Sequence, residues 1–189
     1  HRYLDMRKPH VRAIFRVKDV VQKSFINYFD EQGFLAIHPP AIVASATESG
    51  AALFPISYFD KEAFLAQSPQ LYKQMVMASG IDKVYIVMPV FRAEEHDTAR
   101  HLNEVVQMDI ELAFVEDEED ALRHIENVIA YICKRVNEEC EKELKILKID
   151  LKVPKVPFKR ITYDEALKLL EKDKIKIKWG DDLPPEGER

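Results

Sequence analysis

The apolar residues of the first part of the chain recur at helical spacing. Between Val11 and Phe29 they lie mostly three or four residues apart, which predicts a long amphipathic helix. Gly33 follows as a natural stop, because glycine readily adopts the left-handed conformation that closes many helices. Residues 34–38 are mostly apolar and precede two prolines, Pro39 and Pro40, so they predict a short strand.

The middle of the chain predicts a hairpin, a short helix and a pair of longer strands. Ser68 and Pro69 suit a helix start, because a serine side chain can accept an orphan N–H and proline lacks the N–H that the first turn leaves unpaired. Gly80 suits the end of that helix. In chain order the predicted elements are hairpin strands at 56–59 and 62–65, a helix from Ser68 through Met77, and strands at 84–88 and 104–114.

The last third of the chain predicts two further helices. An acidic run at 116–120 suits the positive N-terminal end of a helix whose apolar positions continue from Leu122 to Val136. The more polar tail, 153–189, predicts one short helix around Tyr163 to Leu170. Because the strands pair antiparallel among flanking helices, we expect an α+β fold, and 189 residues predict a single domain.

Composition narrows the class of protein. The formal net charge is -5, so any contact with nucleic acid has to come from a local basic surface. Cys133 and Cys140 lie on one predicted helix face, too far apart to bridge, and are expected to be reduced. No apolar run approaches the roughly 20 residues of a membrane span and no signal peptide is evident, which predicts a soluble, cytoplasmic protein. The start at His1 and the polar end indicate a piece of a longer chain.

A charged stretch between two predicted strands is the first candidate for chemistry. Residues 91–104 contain Arg92, Glu94, Arg100 and His101. The planar fork of arginine matches phosphate oxygens, and an imidazolium can neutralise further negative charge. Such a hairpin can therefore hold a polyphosphate, although an exposed charged hairpin has the same composition.

The strand that follows has a polar face. Gln107, Asp109 and Glu111 alternate with apolar residues, so they share one side of a strand. Three polar side chains on the concave side of a sheet are costly unless they are satisfied. We therefore expect a ligand or a metal to bind there.

These motifs together resemble one family, the class II aminoacyl-tRNA synthetases, in the archaeal/eukaryotic-type aspartyl form. Phe91-Arg92-Ala93-Glu94 with Arg100-His101-Leu102-Asn103-Glu104 resembles the second signature motif of that family. The segment 33–40, with the preceding helix, is similar to the first motif, which serves dimerisation. The segment 46–50 resembles the loop that closes over the amino acid, and 67–74 resembles the aspartate-binding segment.

The resemblance implies roles for individual residues. Arg92 would contact the α-phosphate of ATP as the catalytic residue, with His101 at the γ-phosphate end, Arg100 in the same ATP-binding group, and Glu94 at the nucleotide or the terminal adenosine of tRNA. Lys73 would pair with the side-chain carboxylate of the substrate aspartate. The other implied aspartate-binding residues are Ser68, Gln70 and Asp109, with Thr47 and Glu48 in the closing loop.

The resemblance also implies the partners. It predicts a class II synthetase fold, an antiparallel sheet flanked by helices, that dimerises through residues 11–40, with Phe25, Phe29, Phe34 and Ile37 at or just beneath the interface. The enzyme would use ATP and Mg²⁺ to activate L-aspartate and pass it to tRNA(Asp). Whether tRNA(Asn) is also charged stays open.

The sequence departs from the family pattern at several points. Val105 stands where many relatives have a phenylalanine that stacks on adenine, and Ser49 stands where the closing loop usually has a glycine. The third motif, whose segment would carry the main magnesium ligand, does not occur before Arg189, and the anticodon-binding barrel is absent. Two alternatives stay open: an asparaginyl-tRNA synthetase, which generally lacks a lysine equivalent to Lys73, and a non-catalytic paralogue that serves as a dimerisation or regulatory module.

Overall fold

The computed structural model of the chain describes residues 1–46, 53–95, 102–173, 175 and 177–183. The chain forms two compact units, His1–Val156 and Pro157–Arg189. The helices are α1 Arg2–Asp5, α2 Pro9–Glu31, α3 Gln70–Ala78, α4 Glu118–Glu139, α5 Glu141–Leu147 and α6 Tyr163–Lys172. The strands are β1 Leu35–Ala36, β2 Ile42–Val43, β3 Pro55–Tyr58, β4 Lys61–Leu65, β5 Lys83–Phe91 and β6 Glu104–Leu112.

The long first helix agrees with its prediction. Pro9 occupies its first turn, where a missing N–H costs little. The helix ends at Glu31. Gly33 follows with φ +76°, and the N–H of Phe34 donates to the carbonyl of Phe29 at 3.0 Å. The positive φ explains the glycine, because side-chain-bearing residues rarely adopt that conformation.

The larger sheet has the strand order β1-β5-β6. Strands β5 and β6 pair antiparallel along nine residues, from Lys83 opposite Leu112 to Phe91 opposite Glu104. Two predictions need correction here. The strand predicted at 34–38 is only Leu35–Ala36, because Phe34 turns into the core and the prolines at 39 and 40 cannot donate to a ladder. It also pairs parallel with β5, so the sheet is not wholly antiparallel.

The smaller sheet has the order β2-β4-β3 and is antiparallel. Its β3–β4 hairpin agrees with the prediction, and its turn places Phe59 at φ +57° with 91% of its surface exposed. The segment after β4 joins the larger sheet, because the N–H of Phe91 donates to the carbonyl of Ala66 at 2.9 Å. This junction brings the start of α3 next to the end of β5.

The core of the first unit lies between α2, α4 and one face of the larger sheet. Phe25, Phe29 and Phe34 are buried there with Tyr85 and Val128. The hydroxyl of Tyr85 donates to Asp30 at 2.8 Å, and burial followed by this hydrogen bond raises the pKa of Tyr85 to about 12. The three phenylalanines thus fill the core of their own chain, and the apolar surface that the sequence assigned to a partner is largely used internally.

A second apolar cluster joins α2 to the end of α4 and to α5, with Val20, Val136, Cys140 and Leu144 at its centre. Cys140 caps the C-terminal end of α4, so it does not continue the face of Cys133 as predicted. Burial raises the pKa of the Cys140 thiol. Both cysteines are free, and Cys140 is a packing residue.

The second unit contains α6, which begins as its sequence predicts. The side chain of Thr162 accepts the N–H of Glu165 at 3.2 Å, and the Glu165 carboxylate accepts the N–H of Thr162 at 2.8 Å. This reciprocal arrangement is a capping box. Trp179 packs its ring against Tyr163 and donates to Asp164 at 2.9 Å. Among the described residues of the whole chain, no helix is long and apolar enough to cross a membrane.

Candidate functional site

The site begins where β4 leads into α3. Gln67, Ser68 and Pro69 are all buried at this junction. The helix starts at Gln70, two residues after the predicted start at Ser68, because Pro69 occupies the N-cap position, yet the Ser68 hydroxyl still accepts the N–H of Gln70 at 3.1 Å. Gln70 and Lys73 are three residues apart on α3 and therefore share a face, and that face lies against β6.

Lys73 is buried at the centre of this contact, with 2% of its surface exposed. Its Nζ lies 2.9 Å from an oxygen of Asp109 and 3.0 Å from an oxygen of Glu111. It also donates to the backbone carbonyl of Ile110 at 3.1 Å. A lysine ammonium has three donors, so all three are engaged, and the lysine is held between the two carboxylates.

Glu111 is the residue that the site assignment from sequence omitted. Its carboxylate pairs with Lys73 and also accepts the Gln70 amide at 3.2 Å. The alternation along β6 put Glu111 on the same face as Asp109, which was a sufficient signal for including it. Lys73 supplies one charged partner to each of the two carboxylates on this polar face, where the sequence led us to expect a ligand or a metal.

The charges of this cluster favour a cationic group. Two carboxylates against one ammonium leave a formal charge of -1, and the side chains of Asp109 and Glu111 keep 23% and 22% of their surface exposed. A ligand that carries an ammonium next to a carboxylate can therefore complement both signs of charge in the cluster.

A second part of the site lies near the end of the β5–β6 pair where Phe91 is opposite Glu104. A cavity of 540 Å³ is lined there by Val90, Arg92, Glu94, Leu102, Val105, Val106 and Gln107. The backbone N–H of Arg92 donates to the carbonyl of Asn103 at 3.0 Å, and its Nε donates to the carbonyl of Gln67 at 3.5 Å. Arg92 is thus tied to the same buried segment that leads into α3.

Gln107 joins the two parts. It lines the cavity and donates to Asp109 at 3.3 Å. Its amide oxygen is buried and accepts no hydrogen bond from the described residues. Such an acceptor is costly to leave unpaired, so a donor on a ligand in the cavity fits this position. Val105, the residue at the position of the family's stacking phenylalanine, is 37% exposed at the same cavity.

The remaining predicted site residues fall into two groups. Arg100 and His101, and the closing loop with Thr47, Glu48, Ser49 and Gly50, lie outside the described residues. Glu94 is half-buried at the cavity, and its N–H donates to the carbonyl of Arg92 at 2.8 Å. The structure therefore brings together Ser68, Gln70, Lys73 and Asp109 on one side and Arg92 and Glu94 on the other.

Comparison with known proteins gives one consistent result. The family model of class II tRNA synthetases (D, K and N) matches residues 1–187. Among curated proteins, the chain is 51% identical to the aspartate–tRNA(Asp/Asn) ligase of Methanopyrus kandleri, matching 100% of this chain and 44% of that protein. It is also 51% identical to the aspartate–tRNA(Asp) ligase of Thermococcus kodakarensis, matching 100% of this chain and 43% of that protein.

Solved structures of this kind share the fold. The asparaginyl-tRNA synthetase of Pyrococcus horikoshii, complexed with asparaginyl-adenylate, is similar with a TM-score of 0.92 and 37% identity over 100% of this chain and 44% of that one. The aspartyl tRNA synthetase of Entamoeba histolytica is similar with a TM-score of 0.80 and 32% identity over 99% of this chain and 35% of that one. The chain therefore spans less than half the length of the proteins that it matches.

Proposed function

This chain belongs to the class II tRNA synthetases (D, K and N), and we propose that it is part of an aspartate–tRNA ligase. The whole protein would join L-aspartate to ATP, forming aspartyl-adenylate and diphosphate, and would then transfer the aspartyl group to the 3′ adenosine of tRNA(Asp). The relatives named above that share 51% identity are called aspartate–tRNA ligases, which supports this substrate over others of the family.

The observation that carries the proposal is the burial of Lys73 between Asp109 and Glu111. A lysine held in place by two carboxylates gives a fixed positive charge that the side-chain carboxylate of a substrate can meet with a charge-assisted hydrogen bond. The carboxamide of asparagine brings no charge and would leave the ammonium poorly paired. Lys73 would therefore select aspartate.

Because all three donors of Lys73 are engaged, substrate binding requires an exchange of partners. We infer that the α-ammonium of aspartate contacts Asp109 and Gln70, and that its bond to Asp109 replaces the bond from Lys73. One donor of Lys73 is then free for the substrate's side-chain carboxylate. Glu111 would stay on Lys73 and keep it aimed into the pocket. The exchange keeps every charged group paired, as a partly buried cluster demands.

Arg92 would act on the nucleotide. In the proposed reaction a carboxylate oxygen of aspartate attacks the α-phosphorus of ATP in line, and the bond to diphosphate breaks. A guanidinium beside the α-phosphate would stabilise charge that develops on its oxygens, and the reaction needs no protein nucleophile. The cavity beside Arg92 and Gln107 suits the nucleotide by position and chemistry.

The family resemblance implies that the whole protein uses magnesium. The part of the chain that the structure describes contains no group of three His, Cys, Asp or Glu side chains that could hold a metal ion. Asp109 and Glu111 are both engaged with Lys73. The described residues therefore do not form a magnesium site.

Asparagine is the second candidate substrate, favoured by the similarity to the asparaginyl-tRNA synthetase of Pyrococcus horikoshii. Aspartate-dependent and asparagine-dependent exchange of diphosphate into ATP by the full-length protein will separate the two. We expect aspartate to be preferred by at least about 10³-fold in kcat/KM, because the site rejects a group that leaves a buried charge unpaired. Equal rates, or a preference for asparagine, would refute the aspartate assignment and leave the family intact.

We also propose a homodimer formed through residues 11–40. Phe25, Phe29 and Phe34 are used by the chain's own core, but Ile14 and Phe15 on α2 and Leu35 on β1 are 45–51% exposed within residues 11–40, and exposed apolar surface of this kind is available to a partner. Sedimentation of the full-length protein should give a dimer at micromolar concentration. The double change Ile14→Glu/Leu35→Glu should shift it towards monomer, whereas Ile146→Glu, equally exposed on α5, should not. An unaltered dimer would exclude this surface.

A further inference from the structure

The first 18 residues differ in charge from the rest of the chain. They carry six cationic side chains and one anionic side chain, a net charge of +5, whereas the rest carries 22 cationic and 32 anionic side chains, a net charge of -10. All six cations are exposed. They are Arg2, Arg7, Lys8, Arg12, Arg16 and Lys18, on α1, on the link to α2 and on the first turns of α2.

Most of these cations have no anionic partner among the described residues. Lys8 pairs with Asp5 at 2.6 Å and Arg16 pairs with Asp19 at 2.9 Å. Arg2, Arg7, Arg12 and Lys18 form no ion pair with a carboxylate of the described residues. Three of these four are arginines, whose planar fork binds phosphate oxygens in a bidentate manner.

We propose that this N-terminal basic segment, residues 1–18, binds the phosphate backbone of the tRNA. The inference rests on the proposed function, which makes a tRNA the macromolecular substrate. The rest of the chain has a net charge of -10 and repels a polyanion. Phosphates are therefore attracted to the positively charged segment. Arg12 and Arg16 are four residues apart and share a face of α2, which sets a row of positive charge along the helix.

A second copy of the chain fits this segment less well. A two-fold interface sets the same patch of one copy against itself, and that arrangement would bring the cations of one segment against those of the other. The apolar residue Ile14, which we assign to the dimer surface, lies about 200° around α2 from Arg12, since successive residues are 100° apart. Arg12 and Arg16 therefore lie opposite Ile14 on α2, whereas Lys18 lies about 40° from Ile14 and Phe15 about 60° from Arg12.

The test uses the full-length protein with Arg2→Gln, Arg7→Gln and Arg12→Gln combined, and measures the Kd for tRNA(Asp) transcript between about 50 and 200 mM salt. Each lost phosphate contact lowers the slope of log Kd against log salt by about 0.7–0.9. We expect the slope to fall by about 2 and the tRNA to bind at least about tenfold more weakly at 0.1 M salt. Aspartate-dependent diphosphate exchange, which needs no tRNA, should keep its rate.

The matched control removes three other exposed lysines of the same unit, with Lys142→Gln, Lys152→Gln and Lys155→Gln. It makes the same change in net charge and should leave the slope within about 0.5 of the parent protein. Equal slopes and affinities for the two triple variants would overturn the proposal, as would a loss of dimer with unaltered tRNA binding. If the parent protein exchanges diphosphate with neither amino acid, the proposed function fails, while the tRNA measurement still decides the role of the segment.

Discussion

Replacing Lys73 by methionine is expected to lower aspartate activation by about two to three orders of magnitude in kcat/KM. Methionine keeps most of the side-chain volume but removes the charge that lies between Asp109 and Glu111. Removal of one partner of a buried charge pair costs about 2–5 kcal/mol, and each 1.4 kcal/mol is a factor of ten. The measurement is aspartate-dependent diphosphate exchange by the full-length protein.

The Lys73→Met change should lower aspartate activation without unfolding the protein. Asp109 and Glu111 keep about a fifth of their side-chain surface exposed, so water can solvate them when the lysine is gone, and the far-ultraviolet circular dichroism should be unaltered. Lys142→Met, which changes an exposed lysine of α5, should keep full activity. If Lys73→Met exchanges diphosphate at the parent rate, Lys73 does not select the substrate, although the family assignment still stands.

The same assay examines the role that we infer for Glu111. Glu111→Gln keeps the hydrogen bond to Gln70 but removes one of the two charges that hold Lys73. Because Lys73 stays charged, the preference for aspartate over asparagine should persist while the KM for aspartate rises about tenfold. A reversed preference would mean that Glu111 contacts the substrate directly and does not act through Lys73.

Replacing Arg92 by alanine is expected to reduce kcat for activation by about 10²–10³-fold. The guanidinium would stabilise charge that develops at the α-phosphate, and the loss of one such donor costs about 2.7–4 kcal/mol in the transition state. The KM for aspartate should change much less, because aspartate is bound by the Lys73 side of the site. Separate titrations of aspartate and ATP in the diphosphate exchange assay will resolve kcat from the two KM values.

Arg92→Lys distinguishes the role of shape from the role of charge. Lysine keeps the positive charge but not the planar fork, so we expect partial activity, between those of the parent and of Arg92→Ala. Arg12→Gln, which removes an arginine from the exposed start of α2, is the control and should leave activation unaltered. Turnover by Arg92→Ala at the parent rate would make Arg92 a structural residue that supports only the hairpin and the Gln67 carbonyl.

Local patterns in the sequence were sufficient for several elements. The periodicity of α2, the glycine that closes it and the β3–β4 hairpin all depend on residues that are near one another in the chain. The alternation along β6 likewise placed Gln107, Asp109 and Glu111 on one face. Helical spacing and strand alternation follow from backbone geometry alone, and for this reason they can be read without a partner element.

Only the tertiary structure decided what those faces meet. Lys73 lies 36 residues before Asp109 and 38 before Glu111 in the sequence, and only the packing of α3 on β6 brings their charges within 3.0 Å. The parallel pairing of β1 with β5 and the use of Phe25, Phe29 and Phe34 by their own core were likewise set by that packing. The local sequence pattern determines which side chains share a face, because the repeat of a helix or a strand depends only on backbone geometry. Which distant face covers it depends on how the whole chain buries apolar surface and pairs buried charge.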